Sequence, residues 1–294
     1  MNASISFRPL RHLSRHLPRR LSRRESWLAA VAAFMLLLAL LAPALTGAAA
    51  ATPSFSDMRS LAGLPNAIDV LSNLPFLVLG MLGLYRLHQL ERHHEQAHSP
   101  AHDELPGGAL DCAWLFFAGL VLVAVASGFY HLHPDDAMRL AGDRAAMAVA
   151  FAGVIGLAVF DRVSQRAAWP AACVSLAGGL AAVAVFQQSG NVTPWAVVQF
   201  GGMALVLWMA TLRPVRGSLP RLQLKLGGLI AAYAVAKVLE LADAPVFELT
   251  GHLVSGHSLK HVVAAFAAVP VLQALHRLAQ RPLVHNARAV AVTA

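Results

Sequence analysis

The stretch Leu110-Asp-Cys-Ala-Trp-Leu-Phe-Phe-Ala-Gly-Leu-Val-Leu-Val-Ala-Val-Ala-Ser127-Gly-Phe-Tyr-His131-Leu132 decides the fold class. It is apolar almost throughout and lacks the alternation of a strand. It is long enough to cross a bilayer as a helix, which takes about 20 residues. Yet it closes on Ser127 and His131, whose i, i+4 spacing stacks both side chains on one helix face. Polar groups at such a depth are costly and by default suggest function.

Runs of the same kind recur near 27–45, 67–87, 144–160, 168–187, 194–212, 224–242 and 257–277. Only 13% of the 294 residues are charged and 57% are hydrophobic. Soluble domains carry about 25% charged residues, and the mean hydropathy here is +0.58. No internal repeat and no barrel-like alternation is present. The expected fold is therefore an all-α membrane protein: a seven-transmembrane-helix bundle over residues 55–280 plus one additional N-terminal transmembrane helix, residues 27–46. A basic segment, 1–26, precedes them and a tail, 281–294, follows. The first apolar run has a second reading as a signal peptide, because small residues Gly47 to Ala51 follow it and Ser22-Arg-Arg-Glu-Ser-Trp-Leu28 faintly resembles a twin-arginine signal. Its length, beyond the usual 7–15-residue signal core, favours a retained helix.

The net charge of +8 does not point to nucleic acid, because the basic residues gather at segment ends without interleaved aromatics. They read as topology signals. Arginines crowd the first 24 residues, the loops around Asp161–Arg166 and Arg213–Lys225, and the tail, whereas Gln187–Thr193 is uncharged and Glu240–Glu248 is acidic. The positive-inside rule then places both termini in the cytoplasm. Cys112 and Cys173 fall within apolar runs and read as small buried hydrophobes, not as a disulfide. The histidine group His88, His93, His94, His98 and His102 reads as part of a flexible loop.

On that map Ser127, His131, Asp143, His257 and His261 meet at one non-cytoplasmic level. His257-Ser-Leu-Lys-His261 repeats the i, i+4 spacing, so both imidazoles share a face. Three neutral imidazoles with one open position form the ligand set of a catalytic zinc ion. An acid such as Asp143 could move the proton that such chemistry requires, and Ser127 could donate a hydrogen bond. Each residue also has a plainer role. The histidines could bond backbone carbonyls, Asp143 could cap a helix start, and Ser127 could bond back within its helix. His133, Asp135 and Asp136 read as solvated turn residues. Lys260 reads as a side chain snorkelling outward.

The arrangement resembles the alkaline ceramidase family, part of a superfamily of seven-helix membrane proteins that includes adiponectin and progestin receptors. The resemblance rests on Ser127 and His131, on Asp143, and on the His257-x-x-x-His261 pair. It is strengthened by His131-Leu-His-Pro-Asp-Asp-Ala-Met-Arg-Leu-Ala-Gly-Asp-Arg144, which looks like the bacterial branch, and by Asp69-Val-Leu-Ser-Asn-Leu-Pro-Phe76. It implies zinc on His131, His257 and His261, catalytic help from Ser127 and Asp143, and a membrane lipid substrate cleaved at an amide. It also implies a bacterial inner-membrane protein with the site facing the periplasm. Eukaryotic members carry an acidic calcium site before the first core helix; here only Asp57 and Asp69 remain of such acids. An acyl-lipid esterase, a non-catalytic receptor-like zinc protein and a haem-binding cytochrome are the other readings of the same residues.

Overall fold

A computed structural model describes residues 20–47, 55–96, 106–215 and 222–280. The N-terminal segment 1–19 and the tail 281–294, with their arginines, lie outside the described residues, as do His98 and His102. The described chain is helical and bundle-forming, and seven of its stretches are long and apolar enough to cross a membrane. Large apolar side chains such as Leu37, Val78, Val125 and Leu207 stand exposed on its flanks. Lipid is the solvent that such a surface suits. The protein is an all-α integral membrane bundle.

The first helix, α1 (Arg23–Leu41), begins on a capping box: the Ser22 hydroxyl accepts from the Glu25 amide while the Glu25 carboxylate accepts from the Ser22 amide. Those are the residues that resemble a twin-arginine signal. The helix is tied to the bundle at both ends, and Leu28, Val31 and Met35 pack against the bundle between them, while most of its surface stays exposed. At its start Glu25 pairs with Arg166 and Arg24 donates to the Arg162 carbonyl at 2.7 Å. Beyond its end the Leu45 amide donates to Thr193 Oγ1 at 3.0 Å.

The core run opens with α2 (Ala67–Leu71), breaks at Ser72 and Asn73, and resumes as α3 (Leu74–Gln96). This helix extends through His88, His93 and His94, so these three stand on a helix and not in the expected loop. Then follow α4 (Gly107–His131), α5 (Ala137–Arg162) and α6 (Gln165–Ser189). Short connections make successive members antiparallel neighbours. A helix running from Thr193 to Thr211 comes next, formed by α7 (Thr193–Ala196), a π-turn (Val197–Gly201) and α8 (Gly202–Thr211). The seventh apolar run folds as α9 (Leu226–Leu241), 16 residues long. That is about 24 Å of helix, short of a hydrocarbon core of about 30 Å. It continues through Ala242 into α10 (Asp243–Leu249). The last run divides into α11 (Gly256–Ala265) and α12 (Ala268–Ala279).

Close packing of α4 on α5 sets the register of the site. A Cβ added at Gly153 would stand 2.4 Å from the Phe116 amide nitrogen, so only glycine lets the two backbones meet there. Small residues at a helix crossing are how membrane helices gain contact without a hydrophobic drive. Cys112 is buried in the same seam, facing Gly156. Both cysteines are free, but Cys173 is exposed on its helix and not buried as expected. Its apolar run turns one face to the lipid, and a period-less run does not say which.

Helix alternation separates two ends of the bundle. Arg23, Arg24, Arg162, Arg166 and Arg213 lie at one end, where α1 and α6 begin and α5 and α8 finish. The end of α4 and the starts of α5 and α11, which carry the candidate site, lie at the other.

Candidate functional site

His131 is the last residue of α4, and His257 and His261 sit on the first turns of α11. All three are buried, and one nitrogen from each lies within 4.8 Å of the other two. His131 Nε2 and His257 Nε2 are 3.3 Å apart. Two nitrogens held about 2.0–2.1 Å from a tetrahedral zinc would stand about 3.3–3.4 Å apart. The donor set and spacing therefore fit a metal ion, and the cluster can hold one.

The third imidazole is aimed by a hydroxyl. Ser72, in the break between α2 and α3, donates its proton to the Asp69 carbonyl at 2.8 Å and also contacts His261 Nδ1 at 2.8 Å. A hydroxyl has one proton to give, so His261 Nδ1 must be the donor in the second bond. Its Nε2 then carries the free lone pair. A metal-binding histidine is commonly oriented in this way by a partner on its other nitrogen. Nothing in the sequence singled out Ser72.

The start of α11 is held just as closely. The Ser255 hydroxyl accepts from the Ser258 amide at 3.0 Å, and Asp243 Oδ1 accepts from the His257 amide at 2.7 Å. These two amides belong to the first turn, where no helical carbonyl is available. A Cβ on Gly256 would come 2.3 Å from the Leu239 carbonyl oxygen, so α11 reaches Asp243 only with glycine at its first position. At the end of α4, Asn66 donates its side-chain amide to the His131 carbonyl at 2.8 Å. Asn66 adopts the left-handed conformation, which asparagine tolerates better than most residues.

Residues 55–66 cross this end of the bundle. Phe55 sets its ring edge-on against His257 and His131, with centroids 4.4 and 5.0 Å away. The Ser56 amide donates to Asp243 Oδ2 at 2.9 Å, and Arg59 donates to the Leu253 carbonyl at 3.0 Å. Of the two acids read against a calcium site, Asp57 is engaged by Arg59 through both carboxylate oxygens. That guanidinium holds its carboxyl below the usual carboxylate range. Asp69 is buried and accepts from the Ser258 hydroxyl at 2.5 Å.

Asp143 stands about two turns inside α5, not at its start. The cap is Asp136, whose carboxylate accepts from the Met138 and Arg139 amides at 2.8 and 3.2 Å. The capping role considered for Asp143 therefore belongs to Asp136. Asp143 lies on α5, the helix packed against α4, which carries Ser127 one turn before His131. Lys260 does not snorkel outward. It points to Glu240 on α9 at 2.7 Å, and Glu240 is also paired with Lys237. Lys260 stands between His257 and His261 on α11, so this ion cluster borders the site. Of the residues read from the sequence, the three histidines come together; Ser127 stands on the same helix as His131 and Asp143 on the neighbouring α5.

No known family, no curated protein and no solved structure matches the chain.

Proposed function

We propose that the protein is a zinc-dependent integral membrane amidohydrolase that cleaves the amide bond of ceramide-like lipids to a fatty acid and a sphingoid base. The observation that carries this reading is the convergence of three imidazole nitrogens within 4.8 Å, with Ser127 one turn before His131 and Asp143 on the adjoining α5. Zinc bound there supplies Lewis acidity toward the amide carbonyl and makes water acidic enough to attack near neutral pH. Asp143 accepts the proton of the attacking water and returns it to the leaving nitrogen as the carbon–nitrogen bond breaks. Ser127, on the neighbouring α4, supplies a hydroxyl donor. Phe55 and Tyr130, whose rings flank His131, keep bulk water from the cluster.

A receptor-like protein with structural zinc would use the histidines but has no need of an acid and a hydroxyl on the neighbouring helices; Asp143 and Ser127 favour a hydrolase. An acyl-lipid esterase would use the same machinery. Haem fits poorly, since it needs a flat slot between two imidazoles and the three rings here crowd together at 4.8–5.1 Å between centroids. The test is elemental analysis of the purified protein together with fatty-acid release from a panel of ceramides and acyl esters. About one zinc per chain and release from ceramide is the expected result. Zinc-loaded protein that hydrolyses no ceramide would overturn the assignment.

Ser72→Ala is expected to weaken zinc binding about 10–100-fold, the usual effect of losing such a partner. Ser72→Thr, which keeps the hydroxyl, should restore it. Chelator competition measures both. Unchanged affinity in Ser72→Ala would mean that helix packing alone aims His261.

The same reading places the termini in the cytoplasm of a bacterium and the site toward the periplasm, following the arginine-rich end of the bundle. Topology reporters fused at Asn191 and Arg213 are expected on opposite sides, with Asn191 periplasmic. Both on one side would refute this orientation.

A further inference from the structure

A cavity of about 330 Å³ opens at the arginine-rich end of the bundle, far from the histidine cluster. It lies between the first turns of α1 and the last turn of α8, lined by Arg23, Arg24, Trp27, Trp208 and Leu212. We propose that it binds an anionic phospholipid, with the phosphate on Arg23 and Arg24 and the acyl chains along Trp27, Trp208 and Leu212.

Charge complementarity carries the assignment. Arg23 is exposed and makes no hydrogen bond or ion pair among the described residues. Arg24 gives Nη1 to the Arg162 and Arg213 carbonyls at 2.7 and 2.9 Å, which fixes its head at the cavity. The acids that stand nearby, Glu25 and Asp161, are already paired with Arg166 and Arg162. Two guanidiniums thus face one cavity without a counter-ion among the described residues.

The apolar half of the wall selects a lipid over a small anion. Two indoles and a leucine offer nothing to free phosphate, but they suit glycerol and the upper acyl chain at the depth where tryptophan gathers in membranes. Basic pockets between helices at this level are recognised sites for anionic headgroups. The location adds a role. Beyond the contacts of Leu28, Val31 and Met35 most of α1 is exposed, so a lipid seated between α1 and α8 would cover part of its first turns.

The test uses the full chain in detergent, with native mass spectrometry in the presence of phosphatidylglycerol or phosphatidylcholine. Retention of phosphatidylglycerol over phosphatidylcholine is expected. Arg23→Gln, which breaks no hydrogen bond or ion pair among the described residues, should cut that preference about fivefold, the effect of one basic residue beside an anionic surface. Lys225→Gln, at the same end but outside the cavity, should leave it unchanged. The proposal is overturned by equal retention of both lipids, by an unaltered preference in Arg23→Gln, or by an equal loss in Lys225→Gln, which would indicate diffuse attraction. Displacement of the lipid by excess inorganic phosphate would assign the cavity to a small anion and also overturn it.

Discussion

Asp143→Asn is expected to leave the chain folded, inserted and zinc-loaded while lipid hydrolysis falls by at least about a hundredfold. The structure makes this substitution informative. Asparagine has the shape of aspartate, and the α4–α5 packing at Gly153 and Gly156 does not involve this residue. The helix start is unaffected because Asp136 caps it. What asparagine lacks is a carboxylate able to take a proton, and such help is typically worth 10²–10⁴-fold. The measurements are zinc content, thermal stability and fatty-acid release on one preparation. Near-normal turnover would remove Asp143 from the mechanism. Loss of zinc along with activity would show that it acts on the metal instead.

His261→Ala and His257→Ala are each expected to strip the metal from purified protein while the helices still assemble. Two remaining nitrogens fall short of the three that a catalytic zinc site takes from the protein. The histidines lie at the end of the bundle, while the α4–α5 seam that organises it is formed by Phe116, Gly153, Cys112 and Gly156 farther along. Elemental analysis after dialysis gives the answer, with helical content by circular dichroism as the control. Full zinc occupancy in both variants would mean that the ion sits elsewhere.

The spanning helices were legible in the sequence because length and apolarity suffice to define them in a bilayer. Short α9 shows the limit: an apolar run does not announce where its ends bend into α10. The i, i+4 pairs were legible because helical spacing fixes which side chains share a face. Residues that act across elements were not. Ser72 looks like any serine in a helix until α11 places His261 beside it. Asp243 seemed to belong to an acidic loop, and its bond to the His257 amide depends on Gly256 allowing a backbone approach. Lys260 was misread because its direction is set by Glu240, a partner 20 residues away on another helix. Asp136 did carry a signal: an acid immediately before a helical run is a good cap.

Asp243 ties two things together with one carboxyl group. One oxygen holds the amide of Ser56, beside the phenylalanine that closes over the histidines; the other holds the amide of His257 itself. On the proposed hydrolase reading, a lipid reaching the cluster would displace Phe55, the neighbour of Ser56. The segment over the histidines and the start of α11 share one carboxylate, so a substitution that loosens the Ser56 end would reach the helix of His257 and His261 without altering either side chain.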